Sequence, residues 1–226
     1  MTKEKFQSDS IVTLHEDLAH QGVVVADLLF SALQYFLKGK GNSKQIEARD
    51  IEIDKVDIEI ERRSVKLLSL NKTSKELRNI LTIVKVNNEL ERIADRAVQI
   101  SSTTLGKDMQ ESIPDTFEVV ANSVIGLVRE SVSAFNERDA ARAELVLKTD
   151  DAAGAFDQII TREIISLVKT SNFPINIALN LSHASRSLQR ISDHCTNICE
   201  QVIYVESGMI VRHSNGGWTE PIDPDA

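Results

Sequence analysis

Leu90-Glu91-Arg92-Ile93-Ala94-Asp95-Arg96-Ala97-Val98-Gln99-Ile100 returns 98 positions later as Leu188-Gln189-Arg190-Ile191-Ser192-Asp193-His194-Cys195-Thr196-Asn197-Ile198. Leucine, arginine, both isoleucines and aspartate keep their places, and Ala94 exchanges only for Ser192, Gln99 for Asn197. A match at fixed period implies a duplicated structural unit. Within each copy the apolar residues run at spacings of 4-3-4-3: Val86, Leu90, Ile93, Ala97, Ile100, and then Ala184, Leu188, Ile191, Cys195, Ile198. That is the seam of a helix packed in a near-parallel bundle.

Working outward, six segments carry helical periodicity. They run from about Ser10 to Phe36, Ser43 to Leu70, Thr73 to Ser102, Asp115 to Asn136, Ala140 to Lys169 and Ile175 to Glu206. Lys38-Gly39-Lys40-Gly41-Asn42-Ser43 is a glycine-rich turn. Ile51-Glu52-Ile53-Asp54 alternates like a strand, but Ile53, Val56, Ile60 and Leu67 continue at helical spacing, so the segment is read as a helix. Thr73 to Glu76 reads as a capping box, and Asp115, after Pro114, as the cap of the fourth helix. Ser101 to Asp115 is polar and unpatterned and serves as the connection between halves. The expected fold is all-α: a first three-helix repeat over 10–102, a second over 115–208 and a loose tail over 209–226. Two antiparallel three-helix bundles would then lie side by side or end to end.

Composition agrees. Aromatics make up 4% of the 226 residues and glycine and proline are scarce, a profile that favours helices over sheets. The net charge of −8 argues against nucleic acid as the principal partner. No apolar run approaches a membrane span, and the N-terminus lacks the apolar core of a signal peptide. Cys195 and Cys199, four apart on one helix, could not pair with each other, so a reducing cytoplasm is the simplest setting.

The acids form a pattern of their own. With Leu90 at heptad position a, Glu91 falls at b and Asp95 at f, four residues apart on an outward face. The second helix carries Asp50, Asp54, Asp57 and Glu61 at spacings of 4-3-4. Like charges so placed cost about 0.2–0.5 kcal/mol per pair in an isolated helix. One explanation is solvation together with nearby Lys55, Arg62, Arg63, Arg92 and Arg96. The other is a hard or borderline cation gathered by carboxylates of two adjacent helices. The second half is poorer: it has Asp150, Asp151 and Asp193, but Gly154 and Gln189 stand where matching acids would be.

The repeated segment resembles the Leu-Glu-Arg-Ile-Gly-Asp signature of the PhoU family of phosphate-uptake regulators. The stretch from Ser187 to Glu200, followed by Val202-Ile203-Tyr204-Val205, Gly208 and Arg212-His213, is similar to the family's second repeat. The resemblance runs from about His15 to His213. It implies paired three-helix bundles, frequently homodimeric, whose Asp/Glu-x-x-x-Asp motifs hold iron, zinc, manganese, magnesium or a similar cation. Carried over by residue, Asp50 and Asp54 match the motif of the second helix and Glu91 and Asp95 that of the third. In the second half only Asp150 and Asp193 survive. Family members restrain phosphate-starvation signalling, linking a phosphate ABC transporter ATPase to a sensor histidine kinase, so the resemblance implies a cytoplasmic adaptor and negative regulator.

Other chemistries find less support. Cys195 sits on the seam and reads as a core residue. His194, Cys195 and Cys199 face different directions, which disfavours a zinc set. His15, Glu16, Asp17 and His20 lack the second Glu-x-x-His motif that a ferritin-like di-iron site needs. There is no phosphate-cradling glycine loop or nucleophile elbow, so a non-enzymatic role is expected. The alternative function is a metal-handling or redox bundle in which the acidic surface is itself the active element.

Overall fold

Each helix begins and ends where the local chemistry directs. The computed structural model describes residues 10–70, 72–103, 113–153, 156–170 and 173–210, at 150–153 and 156 as backbone only. Helix α1 spans Ile11–Lys38. Ser10 caps it, its hydroxyl accepting from the Thr13 amide, and Gly39 ends it in the left-handed region at φ 60, where a side chain would be strained. Helix α2 (Ser43–Leu68) starts on Asn42, whose side chain accepts from the Lys44 amide. Helix α3 (Ser74–Ser102) opens with the expected capping box between Thr73 and Glu76.

Helix α4 spans Asp115–Glu137, but Asp115 is its first residue rather than its cap. Pro114 holds the cap position, with no side-chain hydrogen bond, and Asp115 and Glu118 instead place negative charge in the first turn. The expected fifth helix is described over two stretches, α5 (Ala140–Ala153) and α6 (Phe156–Thr170). Gly154 and Ala155, between them, lie outside the described residues. Helix α7 spans Ile175–Ser207 and closes at Gly208, φ 74. No strand occurs among the described residues. The connection at 104–112 and the tail from 211 lie outside them.

Both seams are buried throughout, from Val86 to Ile100 and from Ala184 to Ile198. Helices α1, α2 and α3 pack on one another, and α4, α5 and α6 pack on α7, giving the tandem of three-helix units. Val56 departs from expectation. It is exposed, and the buried row of α2 is Ile46, Ile53, Ile60, Ser64 and Leu67. Seven-residue steps from Ile46 place a core residue every second turn, which is all a helix facing the core along a narrow stripe needs.

The bundles lie side by side, α3 against α7 and α1 against α4. The α3–α7 pairing is antiparallel. Asn197 donates to Glu89 at 3.1 Å, and Ser187 donates to Gln99 at 3.4 Å. Each of these pairs is the image of the other under the 98-residue repeat. A pseudo-twofold therefore passes between Ala94 and Ser192, both buried and both small enough to let the helices approach. The second seam between bundles is just as close. A Cβ added to Gly22 of α1 would come within 2.8 Å of Val132 Cγ1 on α4.

Candidate functional site

Antiparallel packing of α2 on α3 sets their acids opposite one another. Asp50 feels Asp54 along its own helix and Asp95 across the groove. Glu91 feels Asp95 on its helix and Asp57 and Asp54 across from it. Asp57 is tied to α3 by Asn87, whose Nδ2 donates to its Oδ1 at 2.6 Å and to its backbone carbonyl at 3.1 Å. The four first-half residues singled out from sequence, Asp50, Asp54, Glu91 and Asp95, thus share one patch, with Asp57 completing it. Asp54 and Asp95 are exposed, whereas Asp50, Asp57 and Glu91 are half-buried.

The neighbouring cations do not neutralise this patch. Lys55 pairs with Glu52, Arg62 with Glu59, and Arg63 with Asp17 of α1 at 2.6 Å. Arg96 donates to Gln99. Among the described lysines and arginines only Arg92 pairs with the patch, leaning on Glu91 at 3.5 Å. Among the described residues, Asp50, Asp54, Asp57 and Asp95 form no ion pair with a lysine or arginine.

The cost shows in the titration of these groups. Loss of hydration, then repulsion from Asp54 and Asp95, pushes the Asp50 carboxyl up from 3.8 to about 6. Desolvation followed by Asp95 raises Glu91, and desolvation followed by Glu61 and Asp54 raises Asp57. The Oδ1 of Asp50 is buried without a hydrogen-bond partner. A carboxylate oxygen so placed lacks either a proton or a cation. The donor set is all oxygen and anionic, which suits a hard or borderline cation. As the side chains stand, no three carboxylate, imidazole or thiolate groups among the described residues converge on a common point. Ligation would require Asp54 and Asp95, exposed and free to change rotamer, to turn inward toward Asp50.

The second half has been rewired. Gln189 donates its amide to Asp193 at 3.2 Å, turning the repulsive Glu91–Asp95 arrangement into a hydrogen bond. Asp150 lies in α5, with its side chain outside the described residues. Sequence reading missed Asp157, which accepts from Ser185 Oγ at 2.8 Å. That contact is the counterpart of Asn87 on Asp57. The signal was the 100-residue step from Asp57 to Asp157, two more than the step between the signature segments.

The remaining candidates are structural. Cys195 and Cys199 are buried thiols that form no disulfide among the described residues. His194 Nδ1 meets Glu89 Oε2 of α3 at 2.6 Å, joining the bundles rather than gathering sulfur ligands. His15 stacks on Phe135 with its Nε2 at 3.1 Å from that residue's carbonyl, and Asp17 is taken by Arg63.

Comparison with known proteins adds the family. The PhoU domain matches twice, over residues 18–104 and 117–202. The chain belongs to the PhoU family. A phosphate-specific transport system accessory protein PhoU homolog of Clostridium acetobutylicum is 28% identical over 213 residues, covering 92% of this chain and 97% of the relative. The PhoU homolog 1 of Thermotoga maritima is 32% identical over 173 residues, covering 73% and 72%. The crystal structure of PhoU from Pseudomonas aeruginosa superposes with a TM-score of 0.80 at 26% identity, covering 90% of this chain and 99% of that one. The two PhoU matches coincide with the two bundles, and no described helix is long and apolar enough to cross a membrane.

Proposed function

We propose that this protein is an accessory regulator of phosphate uptake, acting as an adaptor between a phosphate ABC transporter ATPase and a sensor histidine kinase and holding phosphate-starvation signalling off. The observation that carries the reading is the end-to-end match with a phosphate-specific transport system accessory protein, across both repeats and almost the whole length of each chain. The architecture supports it: two rigid bundles joined along α3–α7 and α1–α4 offer broad faces for partner proteins. In this reading the chain is cytoplasmic, non-enzymatic and meets the membrane only through its partners. Homodimerisation is part of the proposal, and the exposed row Ile51, Ile58 and Val65 on α2 favours it. The test is co-purification of the full chain with the transporter ATPase and the kinase from phosphate-replete cells. Capture of both supports the adaptor, and capture of neither overturns it.

The second reading, metal handling, is favoured by the orphaned oxygen of Asp50 and its unneutralised neighbours. Here Asp50, Asp54, Glu91 and Asp95 hold a divalent or trivalent cation such as iron, zinc, manganese or magnesium. The weaker second-half set, Asp150 and Asp193, competes poorly for it. A bound cation would supply the positive charge that the nearby arginines withhold. Elemental analysis after purification without chelators separates the readings. Stoichiometric redox-active metal, with no capture of transporter or kinase, would favour metal handling.

A further inference from the structure

The pseudo-twofold between α3 and α7 relates two faces that should match in charge, and they do not. On one face Glu89 accepts from His194 at 2.6 Å and from Asn197, Arg92 leans on Glu91, and α7 contributes Glu200. The counterparts of Glu89, Glu91 and Glu200 on the other face are Ser187, Gln189 and Ser102. Three carboxylates have become neutral groups. Most of the cations have stayed: Arg190 is the counterpart of Arg92, Arg96 that of His194, and Arg186 replaces the neutral Asn88, although His183 stands in place of Lys85.

All of these second-face residues except Gln189 line a solvent-open cleft of about 370 Å³, at the lower end of the range for small-ligand sites. Arg96, Arg186, Arg190 and His183 line it together with Ser102 and Thr103, and among the described residues no carboxylate does. Among the described residues none of the three arginines has an ion-pair partner. Arg96 donates Nη1 to Gln99, while its Nε is buried without a hydrogen-bond partner. The hydroxyls of Ser102 and Thr103 already donate to the Gln99 carbonyl, so recognition would fall to the arginines and His183. Three guanidinium groups without an ion-pair partner among the described residues each offer a planar fork matched to oxyanions.

We propose that this cleft, bounded by Arg96, Arg186 and Arg190, binds a small phosphoryl dianion, either free phosphate or a small phosphoester. A single carboxylate would leave most of the positive charge unbalanced, whereas a phosphoryl group presents two charges and three acceptor oxygens to three forks. The proposal stands on the cleft alone and does not depend on the transport reading.

The test is calorimetric titration of the full chain at constant ionic strength, with chelator present so that phosphate cannot bind through the acidic patch on α2 and α3. Inorganic phosphate and glycerol phosphate are titrated separately, and preference for one identifies the source. Saturable one-to-one binding is expected for at least one of them. Arg186→Ala and Arg190→Ala, both at exposed positions, should each weaken it by about tenfold, the scale of one charged hydrogen bond. Ser102→Glu, which restores the carboxylate that the other face has in Glu200, should weaken it comparably with unchanged helicity. Absence of saturable binding for both compounds, displacement by chloride at equal ionic strength, or full retention of affinity in the Arg186→Ala/Arg190→Ala variant would overturn the proposal.

Discussion

Replacing Asp50 by asparagine should stabilise the metal-free protein at neutral pH, although it changes a single atom in a partly buried side chain. The reasoning runs through linkage. In the folded chain the Asp50 carboxyl titrates at about 6 rather than 3.8, because burial and then Asp54 and Asp95 oppose its charge. As pH rises from 3.8 to about 6 the unfolded chain ionises first, so this residue's contribution to stability is lost over that window and stays lost above it. At full weight the shift corresponds to about 3 kcal/mol, at ~1.36 kcal/mol per unit. Solvent screening of a half-exposed group cuts that to about 1 kcal/mol. For a chain of this size, 1 kcal/mol moves the melting temperature by about 2–4 °C. The assay is thermal unfolding with chelator, read at intervals from pH 4 to 7.5 for wild type and Asp50→Asn. The difference between them should be near zero at pH 4 and grow to its full value by about pH 7. A variant less stable than wild type at pH 7, or a difference independent of pH, would refute the electrostatic account of the patch.

Four further outcomes follow. Glu91→Ala with Asp95→Ala should keep helicity and melting temperature largely intact while lowering bound metal in elemental analysis, since neither side chain enters the seam. Ile93→Asp buries a charge at a position with 0% exposure and should cost about 3–5 kcal/mol, unfolding the first bundle by circular dichroism. Gly22→Leu should overpack the α1–α4 contact and destabilise by about 1–3 kcal/mol, with partial rescue by Val132→Ala in the same thermal assay. His15 behaves oppositely to Asp50. Burial, then Arg138, lowers its pKa, so stability falls as pH drops below 6.5, and His15→Gln should flatten that limb of the stability profile.

The architecture was legible because periodicity and punctuation agreed. The seam from Val86 to Ile100 is buried as spaced, and the Thr73–Glu76 box forms as written. Caps were less legible where proline intervened. Pro114 takes the extended backbone angles of a cap position, which leaves Asp115 inside the helix. The acidic patch was half legible. Spacing located Asp50, Asp54, Glu91 and Asp95 on outward faces, but left open whether Lys55, Arg62, Arg63, Arg92 and Arg96 offset them or a cation does. Side-chain direction is what spacing does not give: it sends Lys55, Arg62 and Arg63 to Glu52, Glu59 and Asp17. Asp157 keeps the same 100-residue step from Asp57 that relates Asp150 to Asp50, and stayed hidden because the resemblance carried only the Asp/Glu-x-x-x-Asp motif into the second half. The basic cleft could not be read before α3 and α7 were known to be antiparallel, since Arg96 and Arg190 lie far apart along the chain.

The regulatory role is tested most directly by a phosphate-starvation reporter in phosphate-replete cells from which this chain has been deleted. The account predicts that the reporter switches on and that the intact chain, supplied from a plasmid, switches it off again. A reporter that stays silent after deletion, with phosphate uptake unchanged, would contradict it.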